Sequence, residues 1–463
     1  MRHALVATLL PGLVLAAIGW LVIRLASDRV VALALDPTAL LWAVVTIGVV
    51  WLVWITLIWR SYARNRHQPA SALMRIVGAA GVLVMCAAVS APMAVGARYA
   101  VVQRDLIGSV FGDQVSPTAP KVTAASPWGK RKRVNVLLLG GDGAVHRPGV
   151  RTDSVILASI NTRTGSTVLF SLPRNLRNVP FQAGSKLAEL YPDGFTGSGD
   201  EAEYFLNAVY RNVPALHPGV LGHSDNEGAD AVKLAAAGAL GIRVDYYVLV
   251  NLAGFQQLVD AIGGITVNIN EPVPIGGNTD AHIAPDAYLQ PGPDQRLNGF
   301  KALWFTRGRY GSTDYKRMER QRCAINAIVE EASPVTMLKR YTKLASASKE
   351  IVRTDIPSTL LPAFVDLAGK VKGQPMKSVG FERSADFDPN NPDFDFVKAT
   401  VRAALTPGRA SAGVPVSASG GSTASGGTAT PSSQPTAQAA VAGQATDAAE
   451  DCAYHPTGGA AAG

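Results

Sequence analysis

Three long apolar runs without a charged residue stand near the start of this chain, at positions 4–23, 38–59 and 76–97. Each run is long enough to cross a hydrocarbon core of roughly 30 Å as a helix that rises about 1.5 Å per residue. The mean hydropathy of +0.15 is also high for a wholly soluble protein. We therefore predict a membrane anchor with three transmembrane helices at residues 1–100. A cleaved signal peptide is the alternative for the first run.

The charges around these runs predict their orientation. The loop between the second and third runs contains four arginines and no acidic residue, whereas the preceding loop mixes Arg24 and Arg29 with Asp28 and Asp36. The positive-inside bias places the all-basic loop in the cytoplasm. Three crossings then put everything after about residue 98 outside, which predicts a multi-pass protein of the cell membrane with an extracytoplasmic domain.

Composition divides the rest of the chain into three parts. Residues 101–133 are rich in Pro, Ser, Thr and Lys and are predicted to form a juxtamembrane stalk. A compact domain is expected at 134–405, and the Ser, Thr, Gly, Ala and Pro of 406–463 predict a disordered tail. Cys323 and Cys452 both fall outside the predicted membrane spans, so they form either a disulfide or two free thiols.

Several function classes lack support in the sequence. The net charge of +8 arises largely from the membrane flanks and from residues 130–133, and no nucleic-acid-binding module accompanies it. The phosphate-binding GxxxxGK loop, the HExxH zinc motif and the GxSxG nucleophile elbow are all absent from the sequence.

The densest positive charge lies in WFTRGRYGSTDYKRMERQR, residues 304–322, which contains five arginines and Lys316. Planar guanidinium groups donate paired hydrogen bonds to phosphate oxygens and keep their charge. We therefore predict a phosphate or pyrophosphate ligand. A helix beginning at Asp314 would place Asp314, Arg317 and Gln321 on one stripe that continues into an apolar packing face. Surface ion pairs are the alternative.

Short strand-like runs at 135–140, 153–160 and 166–172 predict three β-strands, and the acidic residues at their ends indicate a metal site. The short turn at 161–165 makes the second and third strands antiparallel. If the loop at 142–152 also reverses the chain, Asp142, Asp153 and Arg174 share one rim of the sheet. Two carboxylates there can hold Mg²⁺ through oxygen, with Mn²⁺ as the alternative. Each aspartate, considered alone, can instead be a turn former or a strand cap.

These motifs, taken in order, resemble those of the LytR-CpsA-Psr family. The matching segments are NVLLLGGDG, RTDS, SLPRN, Lys186, VDYYVLVNLAGFQQLVDAIGGITVNI, LNGFKALWFTRGRY and TDYKRMERQ, within residues 134–329. The resemblance implies an α/β/α sandwich around a mixed β-sheet, with a groove for a lipid tail. It also implies an extracytoplasmic phosphotransferase that moves a glycopolymer from its polyprenyl pyrophosphate carrier onto peptidoglycan through a phosphodiester bond.

The resemblance also implies roles for individual positions. Asp142 and Asp153 are similar to the magnesium-binding acids. The implied catalytic residues are Asp142, Asp153, Arg174, Arg307, Arg309 and Asp314. The implied substrate-binding residues are Arg151, Lys186, Arg317 and Gln321. The chain departs from the family where Asn175 replaces a common aspartate and Gly141 a frequent serine. No general base is assigned, because a metal-bound carboxylate is a poor base.

Two other functions stay open at this stage. One is a non-catalytic, membrane-anchored scaffold or regulator that binds the same carrier, which Asn175 favours, and the other is a pyrophosphatase. The transferred polymer is also open among teichoic acid, arabinogalactan and capsule. Seven apolar residues have two open roles, since they either line the lipid groove or belong to the plain core: Val248, Val250, Leu252, Phe255, Leu258, Val259 and Ile262.

Overall fold

Two long apolar helices begin the computed structural model, which describes residues 33–65, 71–112, 114–141, 151–278, 282–332, 352–406 and 445–455. Helix α1 (Pro37–Asn65) and helix α2 (Ala72–Val110) pack together, and the Trp51 indole donates to the Ser90 hydroxyl at 2.8 Å. Both are long and apolar enough to cross a membrane. They contain the second and third apolar runs and support a membrane anchor. The first run, 4–23, lies outside the described residues.

The remaining elements form the domain. The strands are β1 (Arg133–Gly141), β2 (Thr152–Asn161), β3 (Thr167–Leu172), β4 (Tyr246–Asn251), β5 (Ile265–Ile269), β6 (Val273–Asn278), β7 (Ile283–Leu289), β8 (Gly292–Leu297), β9 (Val352–Thr354), β10 (Met376–Gly380) and β11 (Thr446–Asp447). The helices are α3 (Lys186–Leu190), α4 (Val209–Leu216), α5 (Glu227–Leu240), α6 (Leu252–Ile262), α7 (Gly299–Arg307), α8 (Asp314–Glu331), α9 (Leu361–Val371), α10 (Phe394–Leu405) and α11 (Ala448–Asp451).

A mixed sheet of seven strands forms the centre, in the order β11-β10-β3-β2-β1-β4-β9. Strand β2 is antiparallel to both β1 and β3, whereas β1 pairs with β4 and β3 with β10 in parallel. Gly141 lies opposite Thr152, and Val155 lies opposite Leu172. The end of β1, the start of β2 and the end of β3 therefore meet at one edge, which confirms both predicted chain reversals.

Helices cover both faces of this sheet because successive strand residues point to opposite sides. On β2, Val155 and Leu157 join the core that includes α4, α5 and α10, while Ile156 and Ala158 pack with Ile325 of α8 on the other face. Helix α9 covers that second face beside β1 and β4. The described layers agree with the α/β/α sandwich around a mixed sheet that the resemblance implied.

A smaller core lies beside the sheet, where the pairs β5–β8 and β6–β7 meet α6, α7 and α8. Val259 and Ile262 of α6 are buried in this core together with Phe305 of α7. Those two residues, which the sequence left open between lipid groove and core, are therefore core residues.

The segment between α2 and β1 packs on the domain, which corrects the predicted stalk at 101–133. Helix α2 continues to Val110. Beyond it, Ser116 donates to the buried Asp230 carboxylate at 2.6 Å, and the Trp128 ring lies 5.0 Å from the Phe364 ring. Local composition did not predict these contacts because both partners lie more than 100 residues further along the chain.

Residues 445–455 are also folded, which corrects the predicted disordered tail for this segment. Strand β11 pairs antiparallel with β10 at the sheet edge, and Ser378 donates to Asp451 at 2.7 Å. Cys452 is disulfide-bonded to Cys323 of α8. These long-range contacts offset a chain entropy that composition alone would leave uncompensated. The described residues stop at 406 and resume at 445, so most of the predicted tail lies outside them.

We expect the Cys323→Ala/Cys452→Ala double variant to be less stable by about 2–4 kcal/mol, because the bond joins positions 129 residues apart and constrains the unfolded chain. Urea unfolding of the detergent-solubilised chain measures this difference. Thiol titration of the denatured chain should find Cys86 alone before reduction and all three cysteines after it.

Cys86→Ala, within α2, is the matched control and should leave the urea midpoint unchanged. Three reactive thiols in the unreduced chain would contradict the disulfide.

Candidate functional site

A cavity of about 610 Å³ opens where the shared edge of β1 and β2 meets α7 and α8. Its described lining is strongly basic and includes Arg151, Arg174, Arg211, Arg307, Arg309 and Arg317. Among the same lining residues, Asp153 is the carboxylate. Six guanidinium groups around one space repel one another, so the carboxylates that hold them decide the geometry.

Asp153 and Asp314 hold two of these arginines at the rim of the sheet. Arg174 Nη1 donates to Asp153 Oδ1 at 2.8 Å, and Arg174 Nε lies 3.5 Å from Asp314 Oδ1. Asp153 is the second residue of β2, Arg174 follows β3, and Asp314 is the first residue of α8. The antiparallel register of β2 and β3 brings Asp153 and Arg174 together, as predicted, and the start of α8 adds Asp314 from a distant part of the sequence.

Arg317 is the most deeply buried arginine of the cavity, with 4% of its side chain exposed. Its Nη2 atom lies 3.1 Å from Asp314 and donates to the Asp153 carbonyl oxygen at 3.1 Å. Burial lowers the pKa of Arg317 to about 10, although the Asp314 charge opposes that change. The group remains protonated near neutral pH, so the cavity keeps a buried positive charge.

Asp153 is an anion across the physiological range. Burial raises the pKa of its carboxyl, but the charge and hydrogen bond of Arg174, the charge of Arg317 and a hydrogen bond from Asn207 together outweigh burial. The net pKa of Asp153 is therefore lowered from its usual value of 3.8. A carboxylate with a lowered pKa accepts protons poorly and serves better as an electrostatic partner.

The connection between α7 and α8 presents the two most accessible arginines. Helix α7 ends at Arg307, whose guanidinium lies 5.7 Å from the centre of the Trp304 ring. A guanidinium at this distance from an aromatic ring is attracted to its face. Arg309 follows in the turn, is 42% exposed and lies 3.9 Å from Asp314. Helix α8 then begins at Asp314, as predicted, with Thr313 as its cap.

Other basic residues of this segment have partners away from the cavity. Arg320 is buried and donates to the carbonyl oxygens of Phe305, at 2.7 Å, and Gly308. These bonds satisfy carbonyls at the end of α7, where the helix itself supplies no donor. Lys316 pairs with Glu271. The density of positive charge in residues 304–322 therefore has two causes, one in the cavity and one in the packing of α7 on α8.

A polar stripe that the sequence analysis did not identify forms another wall. Glu203, Asn207 and Arg211 recur at intervals of four residues, and Asn207 and Arg211 line the cavity. Between them, Leu206 and Val209 are buried in the main core. This combination of a polar and an apolar spacing was the signal available in the sequence. Local patterns did not predict the stripe, because Arg151, the partner of Glu203, lies 52 residues earlier in the sequence.

Oxygen atoms suited to a hard cation are present at the rim. Asn207 is 5% exposed, and its amide oxygen has no hydrogen-bond partner among the described residues. The same side chain hydrogen-bonds to Asp153. A carboxylate beside a buried amide oxygen is chemically suited to Mg²⁺, which needs few protein ligands when phosphate oxygens and waters complete its shell. Asp142 lies outside the described residues, one position beyond Gly141.

The remaining predicted residues divide between the cavity and the surface. Gln321 lines the cavity and donates to the Thr306 carbonyl at 3.3 Å. Lys186 is exposed at the start of α3 and is not among the described cavity-lining residues, so the structure does not bring it to the site. Asn175 is half-buried. Arg174 is already held by Asp153 and Asp314, so it does not need a charge at position 175.

A glycine pair closes the side of the cavity formed by β6 and β7. Gly276 and Gly277 line it with φ angles of +77° and +79°. A Cβ atom on Gly276 would lie 2.3 Å from an Asp286 carboxylate oxygen. Both the backbone angle and the lack of space therefore require glycine at position 276.

Comparison with known proteins identifies relatives of this chain. The model of the LytR_cpsA_psr family matches residues 112–398, which is more than half of the chain. Biofilm regulatory protein A of Streptococcus mutans is 30% identical over 251 residues, covering 52% of this chain and 55% of that protein. The polyisoprenyl-teichoic acid–peptidoglycan teichoic acid transferase TagU of Bacillus cereus is 28% identical over 229 residues, covering 49% and 62%. The match thus spans less than two thirds of either relative.

Among solved structures, that of TagV from Bacillus subtilis is 24% identical and gives a TM-score of 0.42. The alignment covers 59% of this chain and 97% of that one. A TM-score in this range adds nothing to what the family match establishes.

We expect Asp153→Asn to make the free energy of unfolding less dependent on pH in the acid range. The pKa of Asp153 is lowered on folding, so the unfolded chain binds the proton first, and stability falls as the pH drops from about 5 towards 3. Asparagine cannot take up that proton. Urea unfolding at several pH values measures the slope.

Asp366→Asn, at an exposed carboxyl of α9, is the matched control and should keep the slope of the unchanged chain. An Asp153→Asn variant with that same slope would contradict the anionic role of Asp153.

Proposed function

This chain belongs to the LytR_cpsA_psr family, and we propose that it is an extracytoplasmic phosphotransferase. It moves a glycopolymer from its polyprenyl pyrophosphate carrier onto peptidoglycan through a phosphodiester bond. The observation that carries the proposal is the cavity itself, where six arginines face one space beside Asp153. Such an excess of guanidinium groups suits a multiply charged pyrophosphate.

The arginines divide into a fixed set and an accessible set. Arg174 and Arg317 are held by Asp153 and Asp314 before any ligand enters. Pre-positioned charges stabilise a transition state because they need no reorganisation during the reaction. Arg307 and Arg309 are exposed at the mouth, where they can close on the pyrophosphate from outside. Asp314 orients Arg174 and Arg317 and does not itself contact the ligand.

The chemistry requires positioning more than covalent catalysis. The oxygen of a peptidoglycan sugar hydroxyl attacks the phosphorus next to the polymer, and the bond from that phosphorus to the bridging oxygen breaks. Polyprenyl phosphate leaves, and the arginines stabilise the negative charge that develops on it. The hydroxyl proton goes to an acceptor that we do not assign. Asp153 is a poor candidate because its pKa is lowered.

Asp153 and the amide oxygen of Asn207 are the described groups that would hold a Mg²⁺ ion, with Asp142 as the second carboxylate implied by its position in the sequence. When bound, the cation supplies charge neutralisation at the phosphate oxygens. Mn²⁺ has similar oxygen preferences and is the alternative.

The membrane helices suit a lipid-linked substrate. Helices α1 and α2 would keep the domain at the bilayer surface, on the extracytoplasmic side by the charge bias of the loops. The apolar side chains of Leu252 and Leu303 line the cavity beside Trp304 and are the described candidates for contact with the first isoprenoid units. Of the seven apolar residues weighed for a lipid groove, Leu252 is the one among the described cavity-lining residues.

One product analysis separates this function from its alternatives. The purified chain is incubated with lipid-linked oligosaccharide, peptidoglycan fragments and magnesium, and the products are analysed by mass spectrometry. A phosphodiester-bridged conjugate supports the transferase. Release of a polymer phosphate without conjugation would indicate a pyrophosphatase, and an unchanged substrate that stays bound would indicate a scaffold or regulator.

We expect Arg309→Ala to reduce formation of the conjugate by about a hundredfold, as removal of one transition-state donor does in other enzymes. Its thermal unfolding should stay unchanged, because the exposed side chain has one ion-pair partner, Asp314, at 3.9 Å among the described residues. Arg163→Ala, in the exposed turn between β2 and β3, is the control. Full activity of Arg309→Ala would rule out the proposed clamp.

We also expect a chelator to abolish conjugate formation and added Mg²⁺ to restore it, with Mn²⁺ restoring it in part. Zn²⁺ should fail, because the described rim offers oxygen donors and neither histidine nor thiolate. Activity that persists through exhaustive chelation would exclude the metal from the proposal.

A further inference from the structure

The polar stripe of Glu203, Asn207 and Arg211 places an additional arginine in the cavity. Arg211 lies on α4, on a segment separate from α7 and α8, which carry Arg307 and Arg317. Its side chain is 33% exposed and lines the cavity. The cavity therefore receives positive charge from two independent parts of the fold.

Glu203 joins this arginine to Arg151. One carboxylate oxygen accepts from Arg151 Nη2 at 2.6 Å, and the other accepts from Arg211 Nη2 and from Asn212 Nδ2, the latter at 2.8 Å. The Arg211 Nε atom donates to Asn212 Oδ1 at 2.8 Å. A single acid thus holds two guanidinium groups, and the group keeps a positive charge.

The hydrogen bonds fix Arg211 without using all its donors. A guanidinium has five N–H donors, and two of its nitrogens, Nε and Nη2, make the bonds described above. The planar fork that remains is oriented by Glu203 and Asn212, and such pre-organisation lowers the entropy cost of binding a phosphate oxygen.

We propose that Arg211 is a further substrate-binding residue of this cavity. It binds one phosphate of a prenyl pyrophosphate while the arginines of α7 and α8 bind the other, and Glu203 is the positioning residue for Arg211 and Arg151. This inference rests on the proposed function, since it assigns the second phosphate of the same carrier.

The test compares two lipids on the full chain in detergent, geranylgeranyl pyrophosphate and geranylgeranyl monophosphate, by isothermal titration calorimetry. Arg211→Ala should weaken binding of the pyrophosphate lipid by about tenfold or more, the usual effect of losing a hydrogen bond to a charged group. The monophosphate lipid should bind as it does to the unchanged chain. Arg163→Ala is the control and should alter neither affinity.

Arg211→Lys keeps the charge but loses the planar fork. This variant should weaken binding of the pyrophosphate lipid by about threefold, because a lysine makes one of the two hydrogen bonds of the fork. It keeps the test valid if the alanine variant fails to fold. An unchanged affinity of Arg211→Lys and Arg211→Ala for the pyrophosphate lipid, or an equal loss for both lipids, overturns the assignment.

The role of Glu203 is tested by a double-mutant cycle with the same lipid. Glu203→Gln should weaken binding when Arg211 is present and should have a smaller effect in the Arg211→Ala background, where it acts through Arg151 alone. Additive losses would show that Glu203 acts independently of Arg211 and would overturn its positioning role.

The two proposals fail separately. An unchanged chain that binds the pyrophosphate lipid through Arg211 but forms no conjugate refutes the transferase and leaves the binding role intact. A chain that forms conjugate while Arg211→Ala binds normally refutes the binding role alone.

Discussion

Mutual repulsion among guanidinium groups is the constraint on which the site depends. Each pair about 4 Å apart in a partly desolvated setting repels by several kcal/mol, so such a cluster persists only where carboxylates are interleaved with it. Three acids meet that need. Asp153 pairs with Arg174, and Asp314 lies beside Arg174 and Arg317. Glu203 accepts hydrogen bonds from Arg151 and Arg211. Among the described residues these carboxylates number half the arginines, so positive charge is left over for a ligand. The carboxylates thus neutralise part of the positive charge of the cavity, and an anionic ligand would neutralise the rest.

The fold makes this arrangement rigid by sharing elements between core and cavity. Helix α8 begins at Asp314 with its polar end at the cavity, and the same helix packs Ile325 against the sheet and Ala324 in the smaller core. Strand β2 likewise sends Leu157 into the main core a short distance from Asp153. A shift of either element would cost buried apolar contacts. The positions of the charges are therefore set by packing that lies outside the site.

How much could be read from the sequence depended on the separation of the partners. The turn at 161–165, the start of α8 at Asp314 and the shared rim of Asp153 and Arg174 follow from local patterns, and the structure has all of them. The bond of Arg151 to Glu203, the docking of residues 114–132 and the pairing of β11 with β10 join distant segments, and composition does not encode such pairs. Lys186 shows the converse, because a motif match did not bring it to the cavity.

The disulfide between Cys323 and Cys452 has a consequence for processing by proteases. The segment at 407–444, rich in Ser, Thr, Ala and Gly, lies in sequence between α10 and β11, the strand at the sheet edge. A single cleavage there would create two polypeptides that stay joined through α8. The severed piece would keep its place in the sheet, and its release would take both a cut and a reductant.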